Sequence, residues 1–249
     1  MKNLQSVIII TGHYGVGKTT VATKLALALS AQGNGKEVGL CPTTRSELSR
    51  QAKESGVKVA IADLDIVNPY FCAVEHEELF AKHGITLCAS PLKRSGTSMD
   101  VPSLNLNIEG VLASHDYLII DAGGDAEGAK VLGRYREALE RLQGSRALPD
   151  DAQRAVAKRR SREVGGYDMI CVVNAYRHQT QQPEQAVRIL REIEAVSKLK
   201  ATAIYNNSHL CNETTADIIT ASVPFAQKVA ELVDLPLWQG SRALPDDAQ

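Results

Sequence analysis

The 249-residue sequence predicts a three-layer α/β fold, a mainly parallel sheet with helices on both faces, and three observations carry that expectation. Apolar, β-branched runs recur at 7–11, 57–62, 85–89, 117–120, 169–173 and 202–205. They are short enough for strands and apolar at successive positions, so both faces of each should be covered. Helical periodicity lies between most of them, as at 18–32, 185–197 and 226–233, and strands alternating with helices build parallel βαβ units. A hydrophobic content of 44% with 23% charged residues supplies a buried core for one α/β domain. Ligands on such sheets lie beyond the carboxyl ends of the strands, which selects the loops to read.

The first run leads straight into Gly12-His-Tyr-Gly-Val-Gly-Lys-Thr19, a G-x-x-x-x-G-K-[ST] loop between a strand and a helix. Gly12, Gly15 and Gly17 let the main chain turn with its N–H groups inward, where a side chain would block phosphates. Val16 and Thr20 complete the segment expected to wrap the ligand. The following helix carries Val21, Leu25, Ala28 and Leu29 on one stripe, and its N-terminus points its dipole and free N–H groups at a β-phosphate. Lys18 is expected to reach the β- and γ-phosphate oxygens, and the Thr19 hydroxyl to ligate Mg²⁺. The predicted fold is therefore of the P-loop NTPase kind.

Strand 57–62 ends in Asp63-Leu-Asp65-Ile-Val-Asn68-Pro69. Two carboxylates in alternation, Asp63 and Asp65, can both approach a metal-bound triphosphate, one through Mg²⁺ waters and one beside the attacking water; turn and cap roles are the competing reading. Strand 117–120 ends in Asp121-Ala-Gly123-Gly124-Asp125, with Asp121 at the Walker B position, where a carboxylate holds Mg²⁺ through water. Gly123 and Gly124 let backbone N–H groups approach a γ-phosphate and relax once it is gone. Strand 202–205 precedes Asn206 and Asn207, and strand 169–173 precedes Asn174. A strand-end Asn offers both a donor and an acceptor, which suits the edge of adenine. No Asn-Lys-x-Asp guanine reader occurs in the sequence, which tilts the expected nucleotide toward ATP.

The expected organisation is one nucleotide-binding domain over 1–238, interrupted by insertions at 33–56 and 143–165. Gln143-Gly-Ser-Arg-Ala-Leu-Pro-Asp-Asp-Ala-Gln153 recurs word for word at 239–249, a duplicated segment expected to form a disordered tail. The basic run Lys158-Arg-Arg-Ser-Arg162 reads as a solvated face. Five scattered cysteines without a C-x-x-C pair read as small buried residues in a reducing compartment. A net charge of −1 argues against a nucleic-acid grip by the whole surface. No apolar run reaches membrane-spanning length, and the first residues lack a signal-peptide layout, so a cytoplasmic location is expected.

These motifs, in this order, make the chain similar to MinD/ParA-type ATPases of the SIMIBI class, which includes nitrogenase iron protein and cobyrinic acid amide synthases. Most narrowly it resembles an uncharacterised bacterial ATP-binding group of that superfamily. The resemblance is carried by Ala62-Asp-Leu-Asp-Ile-Val-Asn-Pro-Tyr-Phe71, Asp100-Val-Pro-Ser-Leu104 and Tyr205-Asn-Asn-Ser, and covers 4–32, 57–142 and 166–237. It implies ATP and Mg²⁺ as ligands, Lys18 and Thr19 in the phosphate and metal roles, Asp65 orienting the hydrolytic water, Asp121 as the Walker B carboxylate and Asn206 or Asn207 reading adenine. It also implies a homodimer and a protein partner of unknown identity for a nucleotide-dependent switch. One departure bears on the dimer. The family's second lysine, which reaches across to the partner's nucleotide, is replaced by His13, and Tyr14 follows where the family has glycine. An imidazole does not supply the same fixed charge; Arg94 is a candidate substitute by position. Two other activities fit the same motifs. One is an ATP-dependent ligase or amidotransferase-like enzyme, its acceptor bound by loops at 91–102 and 176–182. The other is a GTP-dependent metal- or protein-targeting factor with a helix in 37–54.

Overall fold

Among the described residues a row of seven parallel strands sets the architecture. The computed structural model describes residues 4–31, 57–65, 73–89, 106–144 and 166–238. The strands are β1 (Val7–Gly12), β2 (Val59–Asp63), β3 (Thr86–Cys88), β4 (Tyr117–Asp121), β5 (Tyr167–Val173), β6 (Ala203–Asn206) and β7 (Leu237–Trp238). They lie in the order β3-β2-β4-β1-β5-β6-β7, every pairing parallel. β1 sits at the centre, with all six of its residues buried.

Alternation along the strands feeds two layers. Val7 and Ile9 of β1, Leu118 and Ile120 of β4, and Met169 of β5 pack on one face, under helices α3 (Ile108–Ser114), α4 (Ala126–Gly133), α5 (Arg136–Gly144) and α6 (Pro183–Ser197). Helix α7 (Ala216–Val233) continues that layer, packing Ala226 and Val229 with Leu190 of α6 and Ile204 of β6. Ile8, Ile10, Ile61 and Val172 face the other way, toward α1 (Lys18–Ser30) and, beyond a 3-10 turn at Ala73–His76, α2 (Glu77–Lys82). A period of two in the strands against a stripe on each helix is what a three-layer sandwich requires.

Helix ends are set locally. Asn107 caps α3, its Oδ1 accepting from Gly110 N at 2.9 Å, and Asp125 caps α4 through Gly128 N at 2.8 Å. α6 starts with Pro183 behind a reciprocal Gln182–Gln185 capping box, which satisfies two otherwise orphaned donors.

The structure moves several expected boundaries. β2 starts at Val59 rather than 57, and β5 starts two residues before 169. The helix expected at 226–233 begins at Ala216 and runs through Pro224. β7 and helices α2 to α5 have no counterpart among the expected elements. The segment 33–56, Asn68, Pro69, the loop 91–102 with Arg94, the Asp100–Leu104 motif, and residues 145–165 and 239–249 lie outside the described residues. Among the described residues no helix is long and apolar enough to cross a membrane.

Candidate functional site

The carboxyl ends of β1, β2 and β4 meet at one edge of the sheet, because Ile10 pairs with Asp121 and Asp121 pairs with Asp63 in register. β1 ends at Gly12 with φ 139°, where a Cβ would strike the Val172 carbonyl oxygen of β5, so the loop leaves the sheet on a path open to glycine. It closes at Gly17, φ 82°, the N-cap of α1, which has no side-chain cap and no acidic residue in the first turn. The first helical bond runs from Val21 N to Gly17 O at 3.0 Å. The N–H groups of Lys18, Thr19 and Thr20 therefore have no carbonyl to meet inside the helix, and the positive helix end faces the mouth of the loop.

Around that mouth lie the charged groups. Lys18, only 6% exposed, turns back over the loop and donates from Nζ to the His13 carbonyl oxygen at 3.3 Å. Thr19 Oγ1 donates to Asp121 Oδ2 at 2.6 Å. Asp121 is fully buried, and its second oxygen, Oδ1, has no hydrogen-bond partner. Burial first, and then the neighbouring Asp63 charge, push the Asp121 carboxyl up to about 7, against the pull of the Thr19 hydrogen bond and of Lys18. Burial and a neighbouring like charge both disfavour the ionised form of a carboxyl so placed. The described residues contain no group of three or more His, Cys, Asp or Glu able to hold a metal ion by themselves. Mg²⁺ is characteristically held by one or two carboxylates together with substrate phosphates, and Thr19 with Asp121 offers that kind of partial set.

Asp63 accepts from Asp65 N at 3.2 Å and from Ala73 N at 3.1 Å, so its carboxylate also ties down the chain leaving β2. Asp65, 6% exposed, stands against the glycine loop: a Cβ on Gly123 would lie 3.4 Å from its Oδ1. Gly124 is tighter still. A Cβ there would strike the Gly12 carbonyl oxygen and come within 2.8 Å of Lys18 Nζ, so the loop after β4 rests directly on the loop after β1.

The asparagines divide between two tasks. Asn207 donates from Nδ2 to the Val16 carbonyl oxygen at 2.8 Å and so touches the loop between β1 and α1. Asn206 is turned inward: its Nδ2 donates to Ser222 Oγ at 2.9 Å, and its Oδ1 accepts from Ser208 N at 3.1 Å and Ser208 Oγ at 2.7 Å. Asn174, fully buried, joins the loops after β5 and β6, with Oδ1 accepting from Tyr176 N at 2.9 Å and Nδ2 donating to the His209 carbonyl oxygen at 3.3 Å. The imidazole of His13 is held below its ordinary pKa, chiefly by burial and to a lesser degree by Lys18, with a hydrogen bond to Gln179 opposing.

Two residues at the site escape sequence reading. The Arg177 guanidinium lies against the loop between β1 and α1, its Cζ and Nε both 3.5 Å from the point a Gly15 Cβ would occupy. His209 Nε2 lies 3.3 Å from the equivalent point at Gly17. The only signal is position: both follow a strand end by a few residues, and neither belongs to a motif.

No protein-family model matches the chain, and no curated protein matches it. Among solved structures it is similar to the signal recognition particle receptor FtsY from Elizabethkingia anophelis in complex with GDP, at 14% identity and a TM-score of 0.47, over 95% of this chain and 57% of that one. A second structure of FtsY from the same organism matches at 16% identity and a TM-score of 0.45, over 93% of this chain and 56% of the other. Chloroplast FtsY from Physcomitrella patens matches at 16% identity and a TM-score of 0.48, over 95% and 58%. The chain thus spans somewhat more than half the length of the structures it matches.

Proposed function

We propose that the chain is a Mg²⁺-dependent nucleoside-triphosphate hydrolase that works as a nucleotide-dependent switch. The observation that carries the reading is the Lys18–Thr19–Asp121 group at the uncapped start of α1, with the Gly123-Gly124 loop resting on it. In this reading the N–H groups of the loop and of the first turn of α1 hold the phosphates, with Val16 and Thr20 flanking them. Lys18 neutralises the β- and γ-phosphate oxygens. Thr19 and Asp121 would hold Mg²⁺, with Asp63 behind them through water, and the ion supplies charge stabilisation on the transferring phosphoryl group when bound. Asp65 orients the attacking water, and catalysis is mainly positioning and charge neutralisation. The switch is the loop 122–125: its contact with Gly12 and Lys18 couples the terminal phosphate to the start of α4, the kind of segment that relaxes on hydrolysis.

The base is assigned to adenine on chemistry. Guanine selection calls for an acceptor carboxylate facing the N1 and N2 donors, and the loop after β5 reads Asn174-Ala-Tyr-Arg177, with no carboxylate. Asn207, its Nδ2 committed to Val16, keeps Oδ1 to accept from the adenine amino group. In this reading the chain works as a MinD/ParA-type ATPase would without the trans-acting lysine. GTP is the second reading, prompted by the GDP of one FtsY structure; a likeness of fold does not itself choose a base. Titration of the purified protein with fluorescent ATP and GTP in Mg²⁺, together with phosphate release, tests both. The expected result is saturable binding and turnover, tighter for ATP and lost in Lys18→Ala. Tighter GTP binding would reverse the base assignment, and no binding of either at millimolar nucleotide would remove the function.

A further inference from the structure

We propose that Arg177 provides, from within the same chain, the cation that neutralises charge developing on the β–γ bridging oxygen and γ-phosphate during hydrolysis. The inference rests on the hydrolase reading above and deepens it. The terminal-phosphate end of the loop can be located on the structure: Lys18 Nζ bonds the His13 carbonyl oxygen, and Gly124 crowds Gly12 and Lys18. The β-phosphate end is the start of α1. Gly15 lies between the two, and it is there that the Arg177 guanidinium meets the main chain, 3.5 Å from the Cβ position. Among the described residues the guanidinium has no carboxylate partner, and its Nε is buried without a hydrogen-bond acceptor. A buried guanidinium donor left unpaired costs stability unless an acceptor arrives, and the bridging and γ-phosphate oxygens, as they gain charge during hydrolysis, would be that acceptor.

The side chain is also presented from a held loop. Arg177 N donates to the Asn174 carbonyl oxygen at 3.4 Å, and Thr180 N donates to the Arg177 carbonyl oxygen at 2.8 Å. Thr180 Oγ1 donates to the Asn174 carbonyl oxygen at 2.7 Å, and the Tyr176 hydroxyl anchors the turn to the Ile218 carbonyl oxygen of α7 at 2.8 Å. A cation fixed before the reaction needs no reorganisation during it. The neighbouring imidazoles do not compete for the role: His13 and His209 are both held below the ordinary histidine pKa, first by burial.

The step itself is ordinary hydrolysis. The oxygen of water bonds to the γ-phosphorus while the bond from that phosphorus to the bridging oxygen breaks. The bonding pair stays on the bridging oxygen, which becomes a terminal oxygen of the nucleoside diphosphate, and both protons of the water leave with the inorganic phosphate as dihydrogen phosphate. Charge growing on the bridging oxygen is what the guanidinium opposes.

The test uses the full chain with MgATP and MgGTP, measuring single-turnover rate, nucleotide Kd and affinity for the diphosphate with aluminium fluoride. Arg177→Ala is expected to lower the rate by about 100-fold or more, to leave triphosphate Kd within about 3-fold of wild type, and to lose the aluminium fluoride complex. Arg177→Lys should fall between, and added guanidinium ion should restore part of the Arg177→Ala rate, which a merely unfolded variant would not show. A wild-type chain that hydrolyses nucleotide while Arg177→Ala matches its rate overturns this inference alone. A rise in Kd with the saturated rate unchanged also overturns it, making Arg177 a ground-state phosphate binder. A wild-type chain that binds no nucleotide overturns both readings.

Discussion

Replacing Asp121 by Asn should stabilise the nucleotide-free protein while destroying its activity. Asp121 is fully buried, beside Asp63, with one oxygen unpartnered, and its pKa is raised from 3.8 to about 7. A carboxyl whose pKa is raised on folding contributes stability that is fully present below its unfolded value and lost as pH rises through the folded value. Integrating that shift gives a loss of about 4 kcal/mol by pH 8, of which about 2 kcal/mol is already gone at pH 5. The amide retains an acceptor for Thr19 but buries an N–H₂ group where Oδ1 had no partner, at a cost of roughly 1–2 kcal/mol. The net expectation for Asp121→Asn is near zero at pH 5 and a gain of about 2–3 kcal/mol at pH 8. Urea unfolding of both proteins at the two pH values, in EDTA and without nucleotide, measures it. Loss of nucleotide turnover in the same variant completes the trade of stability for function. A variant less stable than wild type at pH 8, or a difference that ignores pH, would refute the reasoning.

Other consequences follow from individual contacts. Gly124→Ala should lower stability by about 1–3 kcal/mol and weaken triphosphate binding, because its Cβ has no room between the Gly12 carbonyl oxygen and Lys18. Gly84→Ala, where a Cβ meets nothing within 4 Å but φ is 66°, should cost about 1 kcal/mol and leave binding unchanged; paired thermal-shift and nucleotide titrations read both. Glu194 is buried and accepts from Arg191 at 2.7 Å, Ala201 N at 3.0 Å and Lys200 at 3.3 Å. Burial pushes its carboxyl up, but these three donors outweigh that and hold it below the ordinary glutamate pKa. Stability from Glu194 is therefore present above its unfolded pKa and lost as pH falls through the folded one, and Glu194→Ala should cost about 2–3 kcal/mol at neutral pH, with acid unfolding shifted upward and nucleotide affinity unchanged. The Cys171 thiol is pushed up to about 12, by burial first and then by Glu194, so thiol reagents should spare it in the native protein while labelling the exposed Cys211, as peptide mapping would show.

Much of the sheet is legible in the sequence because strands such as Ile8-Ile9-Ile10 and Leu118-Ile119-Ile120 are apolar on both faces, a pattern that only a covered parallel sheet uses. The strand ends are legible for the same reason: an Asp directly after such a run stands out, and register then carries Asp63, Asp121 and the phosphate loop to one edge. What the sequence hides is long-range. Pro224 breaks the local helical signal, yet α7 runs through it because Ala226, Val229 and Val233 bury on α6 and β6, which outweighs one missing donor. β7 is only two residues long and carries no periodicity of its own. Asn206 and Asn207 look equivalent in sequence, but strand alternation sends one toward α7 and the other toward Val16. Arg177 is hidden most completely, since its place against Gly15 depends on the Asn174 and Thr180 hydrogen bonds that shape its turn.

Whether the loop between β1 and α1 holds a metal-bound triphosphate is measured most directly by a crystal structure with Mg²⁺ and a non-hydrolysable ATP analogue. The expected map has a phosphate against the amides of residues 15–19, Lys18 Nζ withdrawn from the His13 carbonyl onto phosphate oxygens, and Thr19 Oγ1 on the metal beside Asp121. A triphosphate bound elsewhere on the chain, with the Lys18 and Thr19 contacts unchanged, would contradict it.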